Sequence, residues 1–166
     1  MKPSCWIIMG VAGSGKTTVG RALAERLTWR FIEGDDFHSP GSIRKMAQGI
    51  PLTDADRGDW LAGIHAAIRS GRPAVVACSA LKEKYRRILR GDLEGVRFAF
   101  LNGDIDLFYQ RLSRREDHFM GASMLRSQFE DLEIPAPEAA VHLDASRPAD
   151  ENVSALARFT RSLNVK

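Results

Sequence analysis

The chain has 166 residues, of which 44% are hydrophobic and 27% charged, a composition typical of one globular domain. Its formal net charge of +3 suits an anionic ligand but is too small, without interleaved aromatic residues, to predict nucleic-acid binding. Its apolar runs are too short to span a bilayer, so we expect no membrane segment and no signal peptide, and a cytoplasmic location.

The first predicted strand, Cys5 to Met9, leads directly into a glycine-rich loop. The loop reads Gly10-Val-Ala-Gly-Ser-Gly-Lys16-Thr17, a full match to the phosphate-binding P-loop pattern. Its glycines allow the tight turn that points backbone N–H groups at phosphate oxygens, and the helix predicted from Lys16 to Thr28 directs its positive end at the same anion. The predicted nucleotide-binding residues are Gly10, Val11, Ala12, Gly13, Ser14, Gly15, Lys16, Thr17 and Thr18.

Two side chains of this loop carry chemistry of their own. Lys16 supplies a mobile positive charge for the β- and γ-phosphates of ATP, and we assign it a catalytic role. The Thr17 hydroxyl is a hard oxygen ligand and is the predicted protein ligand of Mg²⁺.

The second predicted strand, Arg30 to Glu33, ends at an acidic segment that includes Asp35 and Asp36. Ligands of open α/β sheets bind beyond the carboxyl ends of the strands, so these acids are candidates for catalysis. We predict that Asp35 orients an acceptor hydroxyl and takes its proton. Strand alternation places Glu33 on the same face as Asp35 and turns Asp36 away. His38 either donates hydrogen bonds to a polyhydroxy or anionic substrate or has a structural role.

Two helices are predicted before the third strand, from about Ser42 to Gln48 and from a capping box at Thr53 to Ser70. Together they make residues 36–71 an excursion suited to holding a substrate. Arg57, near the start of the longer helix, either clamps a substrate carboxylate or pairs with one of two neighbouring acids. These acids are Asp54 and Asp56.

The third predicted strand, Pro73 to Cys78, ends at Ser79 and Lys82 rather than at the aspartate that usually helps to hold Mg²⁺ in P-loop proteins. Either Thr17 and water hold most of the metal, or Asp35 supports it from the neighbouring strand.

A fourth strand, Val96 to Leu101, and a helix from about Asp104 lead to a charged stretch that we predict to be a lid, with its following helix, over residues 112–135. Arginines that close over the transferred phosphate stabilise its charge, and Arg114 and Arg115 are the candidates. A last strand, Ala140 to Asp144, and a terminal helix complete an alternating pattern. This alternation predicts one α/β domain over residues 1–166, with a five-stranded parallel sheet covered by helices on both faces.

Several segments beyond the P-loop have the residue types and spacing of one known family. They are Glu33-Gly-Asp35-Asp-Phe-His38, Gly49-Ile-Pro51-Leu-Thr-Asp54-Ala-Asp56-Arg57, Cys78-Ser-Ala-Leu-Lys82, His118-Phe119 and Ser127-Gln128-Phe129-Glu130. On these segments the chain resembles the gluconate kinases, or gluconokinases, from the P-loop to Pro135. Two departures are Glu33, where the family usually has aspartate, and Ser39, where it usually has proline after the histidine.

The resemblance implies a P-loop fold of the nucleoside-monophosphate-kinase type with strand order 2-3-1-4-5. It implies ATP- and Mg²⁺-dependent phosphorylation of D-gluconate at its 6-hydroxyl, and a homodimer. Asp35 would approach that hydroxyl, and Arg111 and Pro148 would enclose the adenine. The implied substrate contacts are Asp35, His38, Arg57, Ser79 and Lys82.

Three alternatives differ in features that the sequence can be searched for. A shikimate kinase would share the P-loop and the acid after the second strand, but it would have a glycine-rich turn where this chain has Ser79-Ala80-Leu81-Lys82. A nucleoside monophosphate kinase would need a segment that binds an acceptor base, and a GTP-dependent switch would need a base-specificity motif such as Asn-Lys-x-Asp. Neither feature is recognisable in the sequence.

Overall fold

Five parallel strands form one sheet in the computed structural model, which describes residues 2–115 and 121–163. The strand order is β2-β3-β1-β4-β5, as predicted. The strands are β1 (Cys5–Met9), β2 (Arg30–Glu33), β3 (Ala74–Ala77), β4 (Val96–Asn102) and β5 (Ala140–Asp144).

The middle strands are apolar along their length because both of their faces are covered. Every residue of β1 and β3 is buried. In the register of the sheet, Ile7 of β1 lies beside Val76 of β3 and Phe98 of β4. A parallel strand buried on both sides reads as a continuous hydrophobic run, which is the signal that predicted β1 and β3.

Helices cover both faces of the sheet. On one face α3 and α4 pack over Ile7 and Val76, and on the other α1 and α7 pack over Trp6 and Ile8. The helices are α1 (Lys16–Leu27), α2 (Pro40–Ala47), α3 (Asp54–Ser70), α4 (Glu83–Arg90), α5 (Ile105–Ser113), α6 (Ala122–Asp131) and α7 (Ala149–Ser162).

The chain beyond β2 differs from the prediction. Residues Gly34–Phe37 form a turn of 3-10 helix rather than an extended strand exit, so strand alternation does not govern the side chains after Glu33. The helix α2 begins at Pro40, two residues before the predicted start at Ser42. Ser39 caps it, accepting a hydrogen bond from Ser42 N at 3.1 Å, and proline is well tolerated in the first helical turn.

The start of α3 is as predicted. Thr53 Oγ1 accepts a hydrogen bond from Asp56 N at 3.2 Å, and Asp56 Oδ2 accepts one from Thr53 N at 2.9 Å. Lys45 of α2 donates to both carboxylate oxygens of Asp56, at 2.8 and 2.9 Å. The capping box therefore also ties α2 to α3. None of the helices in the described part of the chain has the length and apolar character needed to cross a membrane.

Candidate active site

The P-loop joins β1 to α1 in the conformation that its glycines allow. Gly13 has a φ of +78°, and a Cβ atom there would lie 2.8 Å from the carbonyl oxygen of Phe108. Gly15 has a φ of +97° and is the N-cap of α1. Both positions therefore require glycine, one for conformation and close packing and the other for conformation alone.

Lys16 lies inside this loop and donates a hydrogen bond from Nζ to the carbonyl oxygen of Val11 at 3.0 Å. Burial lowers the pKa of the Lys16 ammonium, and the Asp35 carboxylate acts in the opposite direction. The ammonium of Lys16 and the carboxylate of Asp35 thus share one electrostatic environment, although they lie on different elements.

Asp35 lies in the turn after β2, and its side chain is 83% exposed where it lines a cavity. His38 Nε2 is 3.6 Å from its Oδ1 atom. This interaction with His38 is the main cause that lowers the pKa of the Asp35 carboxyl, and Lys16 and Arg115 add to the lowering. Asp35 is therefore ionised near neutral pH. A carboxylate must be ionised if it is to accept the proton of a hydroxyl group.

The orientation of His38 depends on Trp60 of α3. The two rings stack with their centroids 4.3 Å apart, and Trp60 Nε1 donates to the carbonyl oxygen of Gly34 at 2.7 Å. The His38 side chain is only 6% exposed, and its Nδ1 atom has no hydrogen-bond partner in the described part of the chain. The tryptophan thus supports both His38 and the turn that presents Asp35.

A cavity of about 180 Å³ lies above the carboxyl ends of β1, β2 and β3, and we call it the substrate cavity. It brings P-loop residues together with Asp35, His38, Arg57 and Ser79, which the sequence singled out separately. Its lining includes Ala12, Gly13, Gly15, Lys16, Thr17, Asp35, His38, Met46, Leu52, Arg57, Trp60, Ser79, Arg115, Met124 and Gln128.

A second cavity of about 340 Å³ adjoins the first, and we call it the nucleotide cavity. The two cavities share Gly13, Gly15 and Arg115. Arg111 is fixed at its edge, because Nη2 donates to Ala145 O at 2.6 Å and Nη1 to Ser14 O at 3.4 Å. The lining of the nucleotide cavity includes Ser14, Thr18, Arg111, Arg114, Arg115, Ala145, Arg147, Ala149 and Asn152.

Some predicted site residues line neither cavity. Gly10 and Val11 lie at the base of the P-loop, where Gly10 N donates to Ser79 O at 3.3 Å. Pro148 is outside the lining, although its neighbours Arg147 and Ala149 are part of it. No pattern in the sequence singled out Arg147, because its position in the lining depends on the loop between β5 and α7. The predicted segment His118-Phe119 lies outside the described residues.

Arg57 lines the substrate cavity, but its ionic partner is neither of the two acids that the sequence suggested. Its Nη1 atom donates to Tyr85 Oη at 2.9 Å and to Asp131 Oδ2 at 3.2 Å. Lys82 does not line the cavity, and its Nζ atom lies 3.5 Å from Asp131 Oδ1 and 3.8 Å from Asp54 Oδ1. The long-range partner Asp131 left no signal in the sequence.

Two further contacts around the P-loop were not predicted. Thr17 Oγ1 donates to Glu33 Oε2 at 2.7 Å, so the last residue of β2 holds the hydroxyl assigned to Mg²⁺. Gln128 of α6 accepts a hydrogen bond from Ala12 N at 2.8 Å. The alternation of β2 had placed Glu33 near Asp35, but only the structure gives it this partner. Within the described residues there is no cluster of three or more His, Cys, Asp or Glu side chains that would hold a metal ion without other ligands.

The shikimate kinase family model matches residues 12–152 of the chain. A gluconokinase of Gluconobacter oxydans is 47% identical over 145 residues, which cover 85% of this chain and 82% of that protein. The chain is a member of the shikimate kinase family and, within it, of the gluconokinases. The resemblance and the kinase class that the sequence indicated are thereby confirmed.

Solved structures agree with this membership of the gluconokinases. A gluconokinase from Sinorhizobium meliloti is 45% identical, with a TM-score of 0.87 over 98% of this chain and 96% of that one. A shikimate kinase from Acinetobacter baumannii, solved with shikimate, is 19% identical, with a TM-score of 0.66 over 99% and 96% of the two chains. The second likeness concerns the fold alone. The predicted P-loop kinase fold is therefore confirmed, and the shikimate kinase shares this fold at low sequence identity.

Proposed function

We propose that the chain transfers the γ-phosphoryl group of ATP to the 6-hydroxyl of D-gluconate, giving 6-phospho-D-gluconate and ADP. The observation that carries this proposal is the substrate cavity, where Lys16 and Thr17 of the P-loop face the same space as Asp35 and Arg57. A phosphate donor and a carboxylate-bearing alcohol can therefore occupy adjoining positions. The gluconokinases that the chain resembles supply the identity of the acceptor.

In this proposal Asp35 orients the acceptor hydroxyl and accepts its proton as the oxygen attacks the γ-phosphorus. Its lowered pKa keeps it ionised, and its exposed position in the cavity leaves it accessible to the substrate. His38 and Ser79 line the same space and are proposed to hydrogen-bond the polyol, while Arg57 binds its carboxylate. Phosphoryl transfer then depends on holding the reacting groups in line rather than on covalent chemistry by the protein.

The residues of the nucleotide cavity suit the rest of ATP. The P-loop N–H groups and Lys16 are proposed to hold the β- and γ-phosphates, and Arg114 and Arg115 to neutralise charge that develops during transfer. Arg115 lines both cavities, so it is the better placed of the two for the transferred group. Arg111, with Arg147 and the segment next to Pro148, is proposed to enclose the adenine.

The P-loop also fits the Mg²⁺ that such kinases use. Because Thr17 Oγ1 donates its hydrogen to Glu33, the lone pairs of the hydroxyl oxygen are left available to a cation. Thr17 would be the direct ligand and Glu33 the residue that orients it, in place of the aspartate missing at the end of β3. When bound, the metal would neutralise phosphate charge.

The decisive experiment is a coupled assay for ADP release with Mg-ATP and a panel of acceptors. We expect turnover with D-gluconate and almost none with shikimate, nucleoside monophosphates or glucose. A preference for shikimate or for a nucleotide would overturn the proposed substrate and leave the fold intact.

The cytoplasmic location and the homodimer that the sequence and the resemblance suggested belong to this proposal, and sedimentation velocity tests the dimer.

A further inference from the structure

Asp131 lies behind the substrate cavity and contacts two cations at once. It is the last residue of α6 and is not part of the cavity lining. Its Oδ2 atom accepts the hydrogen bond from Arg57 Nη1 at 3.2 Å, and its Oδ1 atom lies 3.5 Å from Lys82 Nζ. Each carboxylate oxygen therefore serves a different cation, and these two cations belong to separate elements.

The geometry at Arg57 leaves part of its guanidinium for a ligand. The contacts to Asp131 and to Tyr85 both use Nη1, and the guanidinium carbon lies 5.3 Å from the centre of the Tyr85 ring. Within residues 2–115 and 121–163, the Nε and Nη2 atoms of Arg57 have no hydrogen-bond partner. The side chain is 10% exposed and lines the cavity. One corner of the planar group is thus held from behind while its other donors remain for an acceptor.

Asp131 belongs to a cluster of charged side chains whose formal charges sum to a single positive charge. The cluster contains three cations and two acids, and the Tyr85 hydroxyl links Arg57 to one of these acids, Asp54. Without Asp131, a nearly buried guanidinium and a neighbouring ammonium would keep only one carboxylate between them. With it, the cluster complements one carboxylate of an acceptor. Its charged members are the cations Arg57, Lys82 and Lys84 and the acids Asp54 and Asp131.

We propose that Asp131 is a positioning residue for the acceptor: it fixes the guanidinium of Arg57 and balances Lys82, so that the site accepts a monocarboxylate. This inference rests on the proposed function, because it takes Arg57 as the residue that binds the substrate carboxylate. It adds a residue that touches no reacting atom and that lies on the helix following the predicted lid.

The test compares Asp131→Asn with Glu130→Gln. Glu130 precedes Asp131 on α6, is exposed and loses the same charge, so it is the matched control. We expect Asp131→Asn to raise the KM for gluconate about tenfold, because the guanidinium of Arg57 loses the carboxylate that orients it and this loss outweighs the added positive charge. The kcat and the KM for ATP should stay within about twofold, because the P-loop is not part of the cluster. Asp131→Glu should recover part of the loss, and Asp131→Ser should show the same selective rise in KM.

The two proposals fail in different ways. A wild-type chain that is inactive on gluconate would overturn the proposed function before any variant is compared. With an active wild type, an unchanged or lowered KM for gluconate in Asp131→Asn would overturn the positioning role alone. An equal rise in Glu130→Gln, or a fall in kcat without a rise in KM, would overturn it as well.

Discussion

A single carboxylate, Asp35, links the fold to the proposed chemistry. It is exposed in the substrate cavity, and it is the acid whose pKa is lowered by His38, Lys16 and Arg115 together. Its neighbour Asp36 is also exposed but does not line the cavity. The two acids have the same side chain and adjacent positions. Comparing the same substitution at each position therefore distinguishes a catalytic role of Asp35 from a general effect of lost charge.

We predict that Asp35→Asn lowers kcat with gluconate by about 10² to 10⁴, the range for loss of a positioned general base. An amide is too weak a base to accept the hydroxyl proton. ATP binding should persist, because the P-loop is unchanged, and titration calorimetry measures it. Asp36→Asn is the control and should keep nearly full activity. Near-normal turnover of Asp35→Asn would remove Asp35 from the mechanism.

The role of Asp35 could be predicted from the sequence, whereas the contacts of Glu33 and Asp131 could not. Asp35 was predictable because it follows a predicted strand, and ligands of open parallel sheets bind beyond the carboxyl ends of the strands. The contact between Thr17 and Glu33 crosses from α1 to β2, and Asp131 reaches Arg57 across 74 positions of sequence. Such partners depend on the relative placement of elements, which no local pattern encodes.

At the level of elements, the 3-10 turn after β2 decides where Asp35 points. The turn starts at Gly34, where a Cβ atom would lie 2.4 Å from the carbonyl oxygen of Ala77 and 3.3 Å from Cys78 Cβ. The backbone of the turn can therefore pack directly on β3. The sequence pattern predicted the strand but not this turn, because the close approach is a property of two strands side by side.

Gly34 and Gly58 should respond in opposite ways to the same substitution. Gly34→Ala forces a methyl group against backbone, so we expect it to lower the free energy of unfolding by about 1 to 3 kcal/mol and to reduce kcat by displacing Asp35. Gly58 lies within α3 with open space at its Cβ position. Gly58→Ala should raise the free energy of unfolding by about 0.5 to 1 kcal/mol. Urea titrations followed by circular dichroism measure both, and a neutral Gly34→Ala would contradict the packing argument.

For the whole molecule, most of the fold was predictable and most of the contacts within the site were not. The alternation of strands and helices and the buried runs of β1 and β3 predicted a parallel sheet with helices on both faces. The strand order was implied by the resemblance to the gluconokinases, and the structure has that order. The substrate cavity, however, draws its lining from the P-loop, the turn after β2, α3, the end of β3 and α6. Its composition became clear only when these elements were assembled, which is why Lys82 was expected in the cavity and Gln128 was given no role there.

Because the cavity joins elements from both faces of the sheet, a ligand bound there should stabilise the domain as one unit. We predict a single thermal transition, with the same midpoint by circular dichroism and by tryptophan fluorescence. The fluorescence test is informative because Trp6 lies in the sheet core, whereas Trp60 lies in the proposed substrate-holding excursion. Mg-ATP at about 100 times its Kd should add about 2.7 kcal/mol of stability and raise the midpoint by several degrees.

Lys16→Met provides the control for the nucleotide effect, since it removes the phosphate-binding ammonium and leaves an apolar chain of similar length. The thermal midpoint of this variant should rise far less with Mg-ATP, although it too should unfold in one transition. An earlier change in fluorescence than in circular dichroism would mean that residues 36–71 unfold separately, and the prediction of one cooperative domain would then be wrong. A full rise of the midpoint in Lys16→Met would instead mean that the nucleotide binds away from the P-loop. The phosphate donor would then not lie near Asp35.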